Sequence, residues 1–217
     1  MKEETELAGN NYQRVAEELS RKLSHDIRTP FNANIGVLRL VLNEFESLGP
    51  ETVQDLLKAL LDSSVEQVWY LDLMLFWARF EMNKIEKATS EVPLSEILMT
   101  AGIKIDTFED FKDFIPGNTH ILTPAFKALS HAVTNIEKEC VITASFLATN
   151  GKLRLNLSGT DQTRLSQLIA TFPSTNNDVK LPPVASFAFY SASRVFENLS
   201  WKIERIHPVA WEFSIPL

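Results

Sequence analysis

The chain has 217 residues, a formal net charge of −7 and 45% hydrophobic side chains, enough apolar mass for one large core or two small ones and too acidic for a general nucleic-acid binder. Cys140 is its only cysteine, which excludes a disulfide framework or a zinc–thiolate cluster within one chain. No run reaches the roughly 18 uncharged apolar residues of a membrane span, and the opening Met1–Glu6 is acidic without an apolar signal core. A reducing, cytoplasmic setting is expected, with no membrane insertion and with any input delivered by a partner.

Apolar residues recur in steps of three and four from Val15 through Leu19, Leu23, Ile27, Phe31, Ile35, Leu38 and Leu42 to Phe45, which predicts one long helix from about Tyr12 to Phe45. Leu48-Gly49-Pro50-Glu51 breaks it. A second long pattern runs from Val53 to Ala78. Two long helices joined by so short a turn are antiparallel neighbours. Their apolar stripe is too wide for a lone hairpin to bury, so pairing with a second copy into a four-helix bundle is expected.

Ala88-Thr89-Ser90-Glu91-Val92-Pro93 reads as a linker. Beyond it, helices are predicted at Leu94 to Ala101, at Pro124 to Lys138 with the proline near the first turn, at Leu165 to Phe172, and at Val184 to Leu199. Val141 to Ala148 and Lys152 to Leu157 flank Thr149-Asn150-Gly151, a hairpin signal. Ser174 to Pro183 is a polar loop, and Trp201 to Ile206 with Val209 to Ile215 reads as a closing strand pair. Interspersed strands and helices make an α+β domain.

The most informative residue is His25. Spacing on a helix gathers Arg21, His25, Arg28 and Asn32 into one polar stripe, away from the apolar one through Leu23 and Ile27. An exposed imidazole, largely neutral near pH 7, is a nucleophile. Asp26 can hold or deprotonate its second nitrogen. The two arginines can offset charge on a phosphoryl group in transfer. Thr29, one turn on, can orient a water or a partner's group. Pro30 gives no hydrogen bond to the Asp26 carbonyl, so the helix is loosened or kinked at this point. A histidine on an amphipathic helix is ordinarily just surface, and on these residues alone that remains the default reading.

Ser24-His25-Asp26-Ile27-Arg28-Thr29-Pro30 resembles the H-box of bacterial sensor histidine kinases, and it stands, as in that family, on the first helix of a hairpin. Phe76-Trp77-Ala78-Arg79-Phe80-Glu81-Met82-Asn83-Lys84-Ile85-Glu86 resembles the segment leading to the ATPase domain. Val92 to Leu98 and Trp211 to Leu217 are similar to the following segment and to that domain's last strand. The resemblance implies a dimerising hairpin over residues 1–88, forming a four-helix bundle, and over 89–217 an α+β sandwich like the histidine kinase ATPase fold. It also implies that His25 is the phosphoacceptor.

The family's nucleotide site requires an asparagine helix for magnesium, an Asp-x-Gly-x-Gly turn for adenine and a glycine-rich lid for phosphates, because backbone must approach the nucleotide closely. Asn135 lies where the metal-binding asparagine belongs, in an eroded pattern. Leu157-Ser158-Gly159-Thr160-Asp161 has lost the leading aspartate and the second glycine, and no glycine follows Gly159, so the lid between Asn176 and Ala192 has none. Asn135 is read as a surface or capping residue and Asp161 as a loop residue. His120, His131 and His207 lack metal-ligand spacing. Cys140, the four tryptophans and the Phe187–Phe196 run are read as packing residues.

The expected protein is therefore a dimeric histidine phosphotransferase of a two-component phosphorelay, with no cofactor or metal of its own. His25, Asp26 and Thr29 are its catalytic residues. Arg21, Arg28 and Asn32 contact response-regulator receiver domains, whose acidic pocket supplies Mg2+. The alternatives are a diverged ATP-dependent kinase, a non-catalytic scaffold holding a receiver, and a phosphatase in which Thr29 orients water.

Overall fold

The computed structural model describes residues 14–82, 90–109, 114–147, 151–172 and 181–216. Parts of the sequence reading (Tyr12, Ala88 and Thr89, Thr149 and Asn150, and the 173–180 part of the loop and lid) lie outside them. The chain divides into two compact units, Met1–Lys84 and Ile85–Leu217.

The first unit is a helical hairpin. Helix α1 covers 14–22, continues through a π-helical turn at Leu23–Ile27, and runs on as α2, Arg28–Glu44. The π-turn is the particular form the expected loosening takes. Pro30 has no N–H for the Asp26 carbonyl and its ring crowds that carbonyl, so the coil widens by one residue there. Gly49 caps and Pro50 opens α3, Pro50–Glu81, with the proline at a position where its missing N–H costs nothing. Side chains bridge the arms at three levels: Arg14 Nη2 to Glu81 Oε2 at 3.0 Å, Tyr70 Oη to Asp26 Oδ2 at 3.1 Å, and Asn34 Nδ2 to Ser64 Oγ at 3.2 Å. Numbers rise on one arm as they fall on the other, so the arms are antiparallel.

Burial is concentrated at one end of the hairpin, with Val41 a further buried position nearer the turn. Val15 and Ile27 are buried, with Tyr70, Leu73, Met74, Trp77 and Phe80 of α3. Most of the apolar pattern that predicted the helices is exposed. Ile35, Leu38 and Leu42 line one face of α2, with Phe45 just past its end, while Leu57, Leu61, Val65 and Val68 line one of α3.

The described residues of the second unit form two sheets. Strand β1 (Ser90–Pro93) pairs antiparallel with β3 (Phe114–Gly117). The second half of the expected linker is thus a strand. The main sheet has order β2-β4-β5-β7-β6, from β2 (Lys104–Glu109), β4 (Val141–Leu147), β5 (Lys152–Ser158), β7 (Ala210–Ser214) and β6 (Lys202–His207). Among the described residues only the β2–β4 pairing is parallel. It needs a crossover, which helix α5 (Thr119–Ile136) supplies. The sequence reading missed β2 and β3 and began α5 too late. Asn118 caps it by accepting the His120 N–H, and Pro124 lies inside the helix rather than in its first turn.

Alternation along β5 buries Leu153, Leu155 and Leu157 on one face. Their β7 partners Phe213 and Trp211 share that face. Rings from α5 and from α7 (Pro183–Asn198) meet them: Phe126 to Phe213 at 6.1 Å, Phe196 to Phe213 at 5.2 Å and Phe189 to Trp211 at 6.2 Å. Helices α5 and α7 also pack on each other, with Phe126 and Phe196 5.1 Å apart. The Phe187–Phe196 run is core, as its composition indicates. The opposite sheet face carries Glu212 paired with Lys152 and Arg154, which hold the glutamate below its usual pKa, chiefly through the Lys152 hydrogen bond.

Two helices end in left-handed caps. After α4 (Leu94–Thr100), Gly102 takes φ +76° and the N–H of Ile103 reaches the Leu98 carbonyl. After α7 the same geometry falls on Ser200, at φ 61°, with Trp201 N–H on Phe196 O.

Candidate functional site

The π-turn presents His25 to solvent, its side chain 82% exposed. Its Nδ1 lies 3.0 Å from Asp26 Oδ1. An ionised carboxylate only accepts, so the shared proton belongs to Nδ1 and the lone pair to Nε2. Asp26 is itself 13% exposed. The Tyr70 hydroxyl donates to its second oxygen, and Lys22 Nζ stands 3.9 Å from that same oxygen and 3.7 Å from Glu18 Oε1. Burial pulls the Lys22 ammonium below its ordinary value, with Asp26 and Glu18 opposing. Burial first, then the charge of Asp26, keeps the Tyr70 phenol protonated well above its usual range.

The π-turn also has its own hydrogen bonding. The His25 carbonyl accepts the backbone N–H of Arg28 and the hydroxyl of Thr29, the latter at 3.1 Å. The Thr29 proton is thus committed to main chain. Arg21 donates to Glu18 at 2.9 Å. That hydrogen bond lowers the Glu18 pKa and raises that of Arg21. Arg21, Arg28 and Asn32 are exposed, like His25.

Sequence reasoning missed Tyr70, Lys22 and Glu18. Tyr70 falls between the apolar positions that mark the second helix and belongs to no motif. Folding the hairpin about its Gly49 turn places position 70 beside position 26, and that pairing was available from the predicted helices and turn.

In the second unit Asn135 lies in the last turn of α5, half-buried. Asp161 is the N-cap of α6 (Gln162–Thr171), accepting Arg164 N–H at 2.9 Å, where a plain loop residue was expected. Gly159 is packed: a Cβ there would lie 3.2 Å from Leu165, 3.3 Å from Glu137 and 3.5 Å from the Cα of Cys140. Thr160 reaches Glu137 at 3.3 Å. Burial and then Glu137 push the Cys140 thiol up to about 11, consistent with a packing role. Among the described residues no cluster of three His, Cys, Asp or Glu side chains is placed to hold a metal, and no helix is long and apolar enough to cross a membrane.

A long helical region with an exposed histidine, followed by an α/β unit with a mixed sheet, defines a histidine-kinase-like fold. Among solved structures, the Acinetobacter baumannii histidine kinase AdeS matches over 88% of this chain and 96% of its own, at TM-score 0.50 and 12% identity. A bacterial phosphotransferase covers 93% and 95% at TM-score 0.42 and 14% identity. The catalytic domain of the histidine kinase ThkA covers 61% and 96% at TM-score 0.33 and 17% identity. At 12% identity the likeness to AdeS is one of fold. No family model and no curated protein matches the sequence.

Proposed function

We propose that this chain is a dimeric histidine phosphotransferase of two-component signalling, which takes a phosphoryl group from a receiver-domain aspartate onto His25 and delivers it to another receiver. The observation that carries this reading is the imidazole itself, 82% exposed and held through Nδ1 by Asp26, so that Nε2 faces outward with its lone pair. In the transfer, the Nε2–P bond forms as the P–O bond to the donor aspartate breaks. That carboxylate leaves with the bonding pair. The ring keeps its Nδ1 proton, and Asp26 offsets the positive charge the ring acquires. The reverse step loads the second receiver. Mg2+ resides in the receivers, and Arg21, Arg28 and Asn32 form the rim of the contact.

Dimerisation is supported by the apolar faces of α2 and α3, which a second copy would cover as a four-helix bundle. The second unit fits ATP poorly. Its remaining glycine at the adenine turn is packed against protein, Asp161 is spent as a helix cap, and α7 lies directly on α5. These features favour a relay over a diverged kinase.

Incubation with a phosphorylated receiver domain tests the reading. Phosphate should move to the wild-type chain and not to His25→Ala. A chain that takes no label from any receiver of its source organism contradicts it.

A further inference from the structure

The geometry points to Tyr70, on the arm of the hairpin opposite the histidine, as a positioning residue that fixes the tautomer and orientation of His25 through Asp26. This rests on the reading of His25 as phosphoacceptor, although the part that concerns the ring stands on geometry alone.

Asp26 is a two-sided bridge. Oδ1 meets His25 Nδ1 at 3.0 Å and Oδ2 meets the Tyr70 hydroxyl at 3.1 Å. The carboxylate offers acceptors only, so both contacts require the other group to donate. A lone aspartate at a helix surface rotates about χ2 and exchanges its partners with water. Here rotation would break two hydrogen bonds at once. Tyr70 is rigid and 2% exposed, so its oxygen is a fixed point built on α3, 44 residues away in sequence. The other charged groups nearby are Lys22, Glu18 and Arg21 of α1. Lys22 stands farther from Oδ2 than the phenol does and is shared with Glu18, while Arg21 is engaged by Glu18. Burial and the charge of Asp26 keep the phenol a donor throughout the neutral range.

The consequence is chemical. A neutral histidine side chain in water favours the proton on Nε2, which would cap the exposed nitrogen. The Tyr70–Asp26 pair selects the opposite tautomer. It leaves Nε2 unprotonated and aimed at solvent, where it can attack phosphorus without first losing a proton. With phosphoramidate as donor, the Nε2–P bond forms, the P–N bond breaks, and ammonia leaves with the bonding pair. The Nδ1 proton stays on the ring against Asp26.

The test uses the full chain with 15N-labelled histidine. There are four histidines, and the His25 signals are assigned by comparison with His25→Ala. The wild type should show a protonated Nδ1 and a bare Nε2. In Tyr70→Phe the share of the Nε2–H form should rise. The rate of His25 labelling by phosphoramidate should fall roughly three- to tenfold, the scale of one lost hydrogen bond of ordinary net strength. Asp26→Asn should shift the tautomer too, and adding Tyr70→Phe to it should change nothing further, because the tyrosine acts only through the aspartate. A purely structural tyrosine would leave the tautomer ratio alone. An unchanged ratio in Tyr70→Phe overturns the inference, as does full additivity with Asp26→Asn. A shifted ratio in a protein that accepts phosphoryl from neither phosphoramidate nor a receiver upholds the role of Tyr70 and removes instead the phosphoacceptor reading.

Discussion

The exposed face of the hairpin gives a quantitative expectation for self-association. Leu61 of α3 is 61% exposed, in line with Leu57, Val65 and Val68. Fully burying a leucine side chain is worth about 1.5–3 kcal/mol, so covering the exposed share of Leu61 contributes about 1–2 kcal/mol. In a two-fold bundle the residue occurs twice, and Leu61→Ser therefore weakens the dimer by about 2–4 kcal/mol. That is roughly a 30- to 1,000-fold rise in the dissociation constant. Leu40 is the control. It is 46% exposed, yet its place on α2 is about 200° around the helix from Leu38 and Leu42, so Leu40→Ser should leave association unchanged. Sedimentation of the full chain across a concentration series measures both. A wild type that stays monomeric throughout, or equal weakening by the two substitutions, refutes the reasoning.

Other expectations concern stability. Ser200 holds a left-handed conformation that costs a residue with a Cβ roughly 1–2 kcal/mol, so Ser200→Gly should raise the unfolding free energy by about 1 kcal/mol in a denaturant titration. Gly117→Ala should lower it by about 1–3 kcal/mol, because the new Cβ would fall 2.6 Å from Leu122 Cδ1 and 3.3 Å from Val92 Cγ2. Glu212 titrates below its ordinary value in the fold, so its pairing with Lys152 and Arg154 stabilises above the unfolded carboxylate pKa and is lost as pH falls through the folded one. Glu212→Gln should accordingly be less stable than wild type at pH 7, with the gap closing below about pH 4 in thermal melts.

What was legible in the sequence was whatever repeats. The three- and four-residue spacing from Val15 to Phe45 and from Val53 to Ala78 marked the two helical arms, and the Asn-Gly turn marked the β4–β5 pairing. The segment Ser24–Pro30, which resembles an H-box, singled out His25 because its residues are consecutive in the sequence. Strands β1, β2 and β3 were missed because Ser90–Pro93 has the composition of a linker and Lys104–Glu109 interleaves charge with its apolar residues, as an edge strand does. The start of α5 was misplaced because Pro124 drew the boundary, whereas the cap is made by Asn118 six residues earlier. Tyr70 escaped because its contact with Asp26 runs between the arms, and no pattern along one arm records it.

The central claim is that His25 receives phosphate from a receiver and not from ATP. Labelled phosphate offered to the full chain in two parallel reactions, once as a phosphorylated receiver domain and once as ATP with Mg2+, tests it most directly. The account predicts an acid-labile, alkali-stable label on His25 in the first reaction and none in the second. Label from ATP alone, or label from the receiver that persists in His25→Ala, contradicts it.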